Sequence, residues 1–341
     1  MPRLRVVQIG ICHEHAAAKM RTLRALPEVF EVVGVVDDRT LHAASAHIVE
    51  ECLTAYDGLT WLSEAEALAM PGLDAVLVET PNADLVATAL RCLEHDLPMH
   101  MDKPAGWDLA AFDRLLSGCD ARGLPFQMGF MFRANPAFAF CAQAVQAGWI
   151  GEISSIQADM SHDYGGEAYQ RYLARMPGGI MFNLGCHLID AVAGLLGRPQ
   201  RVVPLNLSTS DVADGTANLC QATLIYPHAF ATVNACSRKA GGLDARRMVV
   251  CGSNGTIELS PLERFDGQPL AVHLTLREAR GGHPAGRSVI DCGARRDRYR
   301  EHLLEFADMV RTRTRGRHGS AHDRLVHEIT LAASGCIDWT A

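Results

Sequence analysis

The chain has 341 residues, of which 48% are hydrophobic and 21% are charged, and its formal net charge is −7. This composition excludes general disorder, collagen-like repeats and a coiled-coil rod, and the acidic balance gives no electrostatic reason to bind nucleic acid. At roughly 150 residues per domain, the length predicts about two domains.

The cysteines and the N-terminal residues indicate a reducing compartment. Eleven cysteines are scattered singly without a CxxC pair, which is typical of small buried hydrophobes. The first residues, MPRLRVVQIGIC, lack the apolar region of a signal peptide. No run reaches the roughly 18 apolar residues of a membrane span. We therefore expect a cytoplasmic protein without a membrane or nucleic-acid partner.

The first third of the chain alternates short apolar strands with helices. This βαβα order predicts an α/β domain of the Rossmann type, a doubly wound parallel sheet with right-handed crossovers. We assign this dinucleotide-binding domain to residues 1–125. In chain order, its predicted elements are a strand at 4–9, a helix at 14–26, a strand at 30–36, a helix at 40–52, a strand at 74–78, a helix at 80–95, a strand at 99–101, a helix at 108–122 and a strand from 125 to 128.

After about residue 150, strand-like runs follow one another with tight turns such as Tyr226-Pro227-His228. Consecutive strands of this kind predict a large, open, mostly antiparallel sheet. We expect residues 126–341 to form an α+β domain for substrate binding and oligomerisation. Its predicted strands lie at 153–160, 202–208, 218–225, 229–235, 248–251, 256–259 and 271–276, and its helices lie at 183–196, 299–313 and 321–337.

The turn after the first strand is where a dinucleotide fold places its GxGxxG sequence. Gly10 matches the first glycine, whereas Cys12 and His15 occupy the other two positions. The place in the fold still favours cofactor binding, because a helix N-terminus offers free N–H groups to an anion. We expect Gly10, Ile11, Cys12 and His13 to contact the cofactor; the alternative is a turn without a ligand.

The run Cys12-His13-Glu14-His15 resembles a cluster of metal ligands, but its spacing fits no HExxH or paired-cysteine template. Neighbouring residues at a helix start do not easily reach one ion. We therefore predict no metal site, and we expect His13 or His15 to line the cofactor cleft.

Two carboxylates follow the second predicted strand. Asp37 lies where a carboxylate would accept hydrogen bonds from an adenosine ribose. Asp38 adds a negative charge that disfavours a 2′-phosphate, whereas Arg39 favours one, so the balance predicts NAD rather than NADP. The alternative is that Asp37 and Asp38 cap the next helix.

Asp102-Lys103-Pro104 follows a predicted parallel strand at its carboxyl end, where ligands bind in open α/β sheets. A partly desolvated Lys103 is suited to exchange a proton with a substrate hydroxyl. The chain has only two other lysines, Lys19 and Lys239. Keeping lysine here is informative, because lysine loses its proton far more readily than arginine does. The alternative is a solvated surface lysine.

The segment 178–190 (GGIMFNLGCHLID) is the most distinctive in the chain. Asn183 and His187 are four residues apart and therefore share one face of a helix. Asp190 follows three residues later and is placed to orient the His187 ring. From these residues alone, His187 is either a structural core histidine or an acid–base group.

Four short motifs in this order resemble the Gfo/Idh/MocA family of NAD(P)-dependent oxidoreductases over nearly the whole chain. They are Thr80-Pro81-Asn82, Asp102-Lys103-Pro104, the segment 178–190 and the late turn at 252–258 (GSNGTIE). The usual reaction of the family is hydride transfer between NAD(P) and a hydroxyl of a sugar or cyclitol. The resemblance therefore implies a small-molecule polyol or sugar as substrate.

The resemblance also implies roles for single residues. Lys103 would contact the reacting hydroxyl, and His187 would be the general base in oxidation and the general acid in reduction. Asn183 stands where the family has an aspartate, and its amide exchanges hydrogen bonds but holds no negative charge. The resemblance further implies cofactor contacts by Thr80, Pro81, Asn82, Asp102 and Lys103, and substrate contacts by Asn183 and His187. Arg133, Asn135, His162, Asp163, Tyr164 and Tyr169 are further candidates for the substrate site, unless they form only a polar loop and sheet edge.

Two other functions remain open. A redox-neutral enzyme with tightly bound NAD would oxidise a glycoside transiently, cleave it and reduce it back. A sugar- or nucleotide-binding regulator without turnover would explain Cys12 and Asn183. In every case, the open sheet of the second domain predicts a homodimer or homotetramer, because a broad exposed face usually packs against a partner.

Overall fold

The computed structural model describes residues 2–42, 52–164, 166–209 and 215–340. The predicted helix over 40–52 lies mostly outside the described residues. The chain divides into two compact units, Met1–Phe130 with Tyr299–Arg324 and Met131–Arg298 with Leu325–Ala341.

The first unit contains a six-stranded sheet in which every pairing is parallel. The strand order β3-β2-β1-β4-β5-β6 confirms the predicted Rossmann-type domain. The order reverses between the neighbouring strands β1 and β4, and ligands bind at the carboxyl ends of strands at such a point. The strands are β1 (Leu4–Ile9), β2 (Phe30–Val36), β3 (Trp61–Leu62), β4 (Ala75–Val78), β5 (Met99–Met101) and β6 (Phe126–Met128).

The helices begin and end at recognisable signals. The Asp108 carboxylate accepts the Ala111 amide hydrogen and caps one helix, and that helix ends at Gly123 with φ at +60°. None of the helices in the described ranges combines the length and apolar character needed to cross a membrane. The α-helices are α1 (Ala16–Arg24), α2 (Glu64–Leu68), α3 (Leu85–Glu94), α4 (Leu109–Arg122), α5 (Pro136–Gln146), α6 (Glu167–Leu173), α7 (Cys186–Leu196), α8 (Arg300–Thr312) and α9 (Ser320–Ala333).

The late helix α8 belongs to the first unit, although residues 126–341 were predicted to form the second domain. Tyr299, Leu303 and Phe306 share one buried core with Val6 of β1 and Leu23 of α1. Burial of this apolar face therefore returns the chain to the first unit. The compact units consequently differ from a single division at residue 125.

The second unit contains an eight-stranded sheet in the order β14-β13-β12-β11-β7-β10-β9-β8. Among the described strands of this sheet, only β7 and β10 pair in parallel, which confirms the predicted mostly antiparallel sheet. Along β10, Ala231, Val233 and Ala235 are buried and alternate with half-exposed residues, so one face of the sheet is open. The strands are β7 (Ile153–Asp159), β8 (Arg201–Leu207), β9 (Leu219–Ile225), β10 (Phe230–Cys236), β11 (Arg247–Gly252), β12 (Gly255–Leu259), β13 (Pro269–Leu276) and β14 (Gly286–Ala294).

The segment that carries Asn183 differs locally from the predicted helix at 183–196. Met181–Gly185 forms a π-helical turn, and α7 begins only at Cys186. Such turns are rare and are found frequently at functional sites. The buried helix α7 contacts β7 and β10 on the covered face of the sheet. The elements without a sequence prediction are β3, β14, α2, α5 and α6.

Candidate functional site

The turn after β1 passes against the turn after β4 at very short range. Gly10 has φ at +91°, and a Cβ atom built on it would lie 2.6 Å from the backbone nitrogen of Thr80. No side chain is compatible with this approach and this backbone conformation. Gly10 is therefore required where the sequence expected the first glycine of a dinucleotide turn.

Of the two carboxylates after β2, Asp38 is the one that faces this turn. Its Oδ1 accepts the amide hydrogens of Ile11 at 2.8 Å and of Cys12 at 3.1 Å. Asp38 is buried, and its Oδ2 has no hydrogen-bond partner among the described residues. Asp37 instead binds Arg39, with Oδ2 2.6 Å from Nη2. The sequence had singled out Asp37 for the ribose.

Cys12 is a buried thiol. Burial, followed by the negative charge of Asp38, raises the pKa of Cys12 far above its ordinary value. Cys12 is therefore uncharged, and it fills space in the turn rather than offering a thiolate.

The Thr80-Pro81-Asn82 turn is joined to the turn after β5. Asn82 Nδ2 donates to the carbonyl oxygens of Lys103 at 3.1 Å and Pro104 at 3.2 Å. Thr80 is buried against Gly10, and the Pro81 carbonyl accepts the Asp84 amide hydrogen just before α3. The structure thus brings two of the motifs together at the carboxyl edge of the parallel sheet.

Asp102 is the centre of a buried charged cluster. Its Oδ1 accepts the Lys103 amide hydrogen at 2.7 Å, and its Oδ2 lies 2.7 Å from Lys19 Nζ. Lys19 Nζ is also 2.7 Å from Glu79 Oε1. Neither Lys19 nor Glu79 was predicted as a site residue, although Lys19 lies on the buried face of α1 and Glu79 is buried directly after β4.

The protonation of this cluster follows from burial and from the opposed charges. Burial by itself raises the pKa of Asp102, but the nearby His13 and Lys19 outweigh it and hold that pKa well below its ordinary value. Burial raises the pKa of Glu79 well above its ordinary value, and Lys19 offsets only part of the effect. Burial by itself lowers the pKa of Lys19. The charges of Asp102 and Glu79 outweigh this effect, so the pKa of Lys19 lies above its ordinary value. Lys19 and Asp102 are therefore a charged pair.

His13 and His15 both turn their rings towards Asp102. The Nδ1 atoms of His13 and His15 lie 3.2 Å and 3.1 Å from Asp102 Oδ2. One ligand atom from each residue lies within 4.8 Å of the others, so the three residues are able to hold an ion. The spacing of the histidines gave no such indication, because Asp102 is distant in sequence. Burial lowers the pKa of His15 to about 4, and Asp102 offsets this only in part.

Lys103 is wholly buried, so the alternative of a solvated surface lysine is wrong. Its Nζ lies 3.8 Å from Glu14 Oε1. Burial raises the pKa of Glu14, but His15 and Lys103 outweigh it and hold the pKa below its ordinary value. Lys103 therefore has a carboxylate beside its ammonium group within the first unit.

In the second unit, Asn183 and His187 are both buried. Asn183 Nδ2 donates to the Tyr169 hydroxyl at 2.8 Å. The His187 ring lies 5.5 Å from the Phe132 ring, measured between centroids. The Asn183 amide therefore positions the Tyr169 phenol. An aspartate at position 183 would have added a negative charge.

Aromatic rings continue outward from Asn183. Tyr164 is stacked on His162 at a centroid distance of 3.4 Å and lies 4.2 Å from Tyr169. Asp163 forms an isolated β-bridge with Arg238. Flat stacked rings of this kind suit the apolar face of a sugar or cyclitol.

Two other predicted substrate contacts have protein partners. Arg133 Nε and Nη2 both bind the Asp190 carboxylate, at 2.7 to 3.1 Å, and both side chains are nearly buried. Asn135 caps α5, since its Oδ1 accepts the Ala137 amide hydrogen while its Nδ2 donates to Leu262 O. Asp190, which the sequence assigned to His187, is thus a partner of Arg133.

Comparison with known proteins identifies part of the second unit directly. Residues 138–258 match the family model described as the GFO/IDH/MocA C-terminal domain. An uncharacterized oxidoreductase of Rhizobium meliloti, ORF334, is 28% identical over 228 residues, 65% of each chain. A dTDP-3,4-didehydro-2,6-dideoxy-α-D-glucose 3-reductase of Actinomadura kijaniata is 32% identical, over 37% of this chain and 38% of the reductase. The chain thus spans about two thirds of the first of these relatives and less than half of the second.

Solved structures are similar in fold along nearly the whole chain. KijD10, a 3-ketoreductase from Actinomadura kijaniata in complex with NADP and TDP-benzene, is 21% identical and superposes with a TM-score of 0.78 over 97% of both chains. An oxidoreductase from Agrobacterium radiobacter in complex with NAD+, L-tartaric acid and magnesium is 17% identical, with a TM-score of 0.79 over 98% of this chain and 96% of that one. These likenesses show the fold. Residues 138–258 are in addition similar to the C-terminal domain of the Gfo/Idh/MocA family.

Proposed function

We propose that the chain is an NAD(P)-dependent oxidoreductase that transfers a hydride between nicotinamide and a hydroxyl-bearing carbon of a sugar, cyclitol or related polyol. The observation that carries this proposal is the turn after β1. It lies at the strand-order reversal of a parallel sheet, has a glycine that admits no Cβ, and holds a buried carboxylate on its amides. The names of the relatives, which include a scyllo-inositol 2-dehydrogenase (NAD(+)) of Bacillus subtilis, support the same reaction class.

The residues of the turn fit a dinucleotide. Gly10 leaves the backbone open to close approach. The buried Asp38 Oδ2 lies 3.9 Å from His42 Nε2 but accepts no hydrogen bond among the described residues, so it is available to a ribose hydroxyl. We assign the cofactor contacts to Gly10, Ile11, Cys12, His13 and Asp38, with Asp37, Thr80, Pro81, Asn82, Asp102 and Lys103 around them. When bound, the cofactor accepts or supplies the hydride.

NAD is the favoured cofactor over NADP. The Asp38 carboxylate would repel a 2′-phosphate next to the ribose. Arg39 would attract one, but its guanidinium is engaged by Asp37 through several hydrogen bonds. The charge balance at the end of β2 therefore supports NAD.

The protein must also move a proton, because the hydroxyl loses H⁺ when its carbon loses a hydride. For the first unit, we assign binding of the reacting hydroxyl to Lys103, whose ammonium is desolvated and adjoins Glu14. For the second unit, we assign proton acceptance in oxidation and donation in reduction to His187. Asn183 lies one helical turn before His187 and is held by Tyr169, so its role is to position groups rather than to supply charge.

The substrate contacts follow from the second unit taken by itself. Tyr164, stacked on His162 and next to Tyr169, combines an aromatic ring with a hydroxyl, and both groups suit a polyol. Arg133 was predicted to bind substrate directly. Its two hydrogen bonds to Asp190 support a second role, which is to connect the segment before α5 to α7. We retain Tyr164, Asn183 and His187 as the primary substrate contacts.

A homodimer or homotetramer through the second sheet is also part of this proposal. Val203, Leu205 and Leu207 alternate along β8 and are 42 to 52% exposed. Leu219 pairs with Leu207 on the same face. A cavity of about 480 Å³ on this face is lined by Leu205, Leu207, Leu219, Asp159 and Lys239. Leu205→Asp should lower the oligomer mass measured by light scattering, because it places a charge on the apolar patch.

The function is tested by calorimetry with NAD+, NADH and NADP+, followed by NAD+ reduction with a panel of inositols, pentoses and sugar acids. We expect NAD(H) binding and reduction with at least one polyol. Lys103→Met should abolish reduction, whereas Lys239→Met, at a 38% exposed position after β10, should not. Lack of nicotinamide binding at millimolar concentration rejects the proposal. Cleavage of a glycoside without added NAD supports the redox-neutral alternative, and binding without any turnover supports a regulator.

A further inference from the structure

The first unit brings together His13, His15 and Asp102 in a way that the proposed cofactor contacts of His13 and Asp102 do not explain. His13 Nδ1 and His15 Nδ1 lie 3.2 Å and 3.1 Å from Asp102 Oδ2. The His13 and His15 rings are 5.1 Å apart between centroids. His13 and Asp102 are buried, and His15 is nearly so. Two imidazole nitrogens and one carboxylate oxygen therefore converge on one small volume.

One contact of His13 favours a cation in this volume. The His15 backbone N–H points at His13 Nδ1 at 3.3 Å, so that nitrogen is the acceptor in this contact, whereas the Asn82 amide nitrogen lies 3.5 Å from the other ring nitrogen, Nε2. The same nitrogen faces the Asp102 carboxylate at 3.2 Å. Two acceptors at this distance repel each other unless a positive ion or a proton lies between them.

The surrounding groups match those that support metal ligands in proteins. Glu14 Oε1 lies 3.6 Å from His15 Nε2 and has no hydrogen-bond partner among the described residues. A carboxylate behind the far nitrogen of a ligating histidine is a common arrangement. Lys19 donates to Asp102 Oδ2, as a supporting group does for a ligating carboxylate. The Glu79 carbonyl fixes the His13 backbone amide at 3.1 Å.

The distances agree with a small divalent ion. With metal–nitrogen and metal–oxygen bonds of about 2.1 Å, neighbouring ligand atoms of a tetrahedral site lie about 3.4 Å apart. The two histidine Nδ1 atoms lie 3.2 and 3.1 Å from Asp102 Oδ2, so each would move away from the carboxylate oxygen by only a few tenths of an ångström to reach this value. Two histidines with one carboxylate suit zinc, manganese or ferrous iron rather than calcium or magnesium.

We propose that His13, His15 and Asp102 bind one divalent transition-metal ion in the first unit. The ion would lie beside the turn after β1 and would offset the negative charge that Glu14 and Asp38 bring to it. The binding requires neither cofactor nor substrate. The proposal therefore stands or falls independently of the oxidoreductase function.

The test is equilibrium dialysis of the chelator-treated full chain against Zn²⁺ and, separately, Mn²⁺, with the retained metal measured by mass spectrometry. We expect about one ion per chain. His15→Gln should weaken binding by more than about tenfold, because loss of even a supporting hydrogen bond weakens metal sites about 10–100-fold. Glu14→Gln should weaken it less, because Glu14 is not one of the three proposed ligands.

The matched control is His318→Gln, which removes one member of another neighbouring pair, His318 and His322, whose rings lie 4.9 Å apart. This variant should retain the ion with unchanged affinity. Co²⁺ in place of Zn²⁺ should give a visible spectrum without a thiolate band, since no cysteine belongs to the proposed set. Failure to retain any ion, or equal retention by His15→Gln and the unaltered chain, overturns the proposal. In that outcome, a proton shared between His13 and Asp102 accounts for the short contact.

Discussion

Lys19 Nζ lies 2.7 Å from Asp102 Oδ2, and neither side chain is more than 1% exposed to solvent. The same ammonium lies 2.7 Å from Glu79 Oε1. Moving these charged groups from water into the protein interior costs free energy. Each group is stabilised there only by the opposite charge of its neighbours. The pair also ties α1 to the carboxyl ends of β4 and β5, where the candidate site lies.

Lys19→Met should lower the free energy of unfolding by about 3–5 kcal/mol, because it leaves buried carboxyl groups without their cation. Urea unfolding followed by circular dichroism measures this change. Lys239→Met is the matched control, since Lys239 Nζ lies 2.8 Å from Asp159 Oδ2 but is 38% exposed. An exposed pair of that kind contributes under about 1 kcal/mol. Equal stability of the two variants would contradict the account of the Lys19 cluster.

The position of Lys19 in the sequence pattern of α1 already indicates a buried lysine. Ala16, Lys19, Met20 and Leu23 follow the spacing of one helix face, and all four are buried. A lysine on such a face requires a buried partner of opposite charge. The pattern therefore predicts an ion pair, but it cannot name Asp102, which is brought close only by the parallel sheet.

The strands were predictable where apolar runs end at turn residues, as at Leu4–Ile9 and Phe30–Val36. Strand β3 has two residues and β14 is mostly exposed, so neither has a distinctive apolar pattern.

The roles of Asp37 and Asp38 were not predictable for a different reason. The pairing of β2 with β1 shifts by one residue after Val6, which moves Asp38 rather than Asp37 to the turn. Gly34 lies in β2 at this shift, and an isolated glycine inside a strand is a sign of a bulge, but it does not show which of the two carboxylates is moved to the turn.

Asp38→Asn should weaken NAD+ binding by about 10–100-fold, because it removes a charged hydrogen-bond acceptor from the turn. Asp37→Asn should change the affinity less than about threefold, because the Asp37 carboxylate is directed to Arg39. Calorimetry with NAD+ compares the two variants at the same ionic strength. A larger loss in Asp37→Asn would mean that the ribose carboxylate is Asp37, as the sequence alone indicated.

Gly10→Ala should destabilise the protein and abolish NAD+ binding. The new Cβ would lie 2.6 Å from Thr80 N, and alanine disfavours φ at +91°. Gly58 is the control, since its φ is +74° but a Cβ there meets nothing within 4 Å. Gly58→Ala should therefore show only the backbone strain, about 1–2 kcal/mol. Gly10→Ala should exceed it by about 1–3 kcal/mol from crowding. Similar losses in both variants would show that the two turns do not approach as described.

The stability of the first unit should fall with pH through His100. Its Nδ1 lies 2.8 Å from Gln127 Oε1, and burial, followed by the charge of Lys19, lowers the pKa of His100 to about 3. Between about pH 6.5 and 3, His100 is protonated in the unfolded chain but not in the folded protein. The stabilisation is therefore complete above pH 6.5 and decreases as the pH falls, by up to about 1.4 kcal/mol per pH unit.

His100→Gln removes this proton uptake, so the dependence of the unfolding free energy on pH between 6.5 and 4 should become shallower by up to that amount. The slope is the diagnostic quantity, since a loss of packing would lower stability equally at every pH. His95→Gln, at an exposed position, should leave the slope unchanged. His327, whose pKa burial also lowers to about 3, should account for a second proton. An unchanged slope in His100→Gln would show that His100 is protonated in the folded protein over this range.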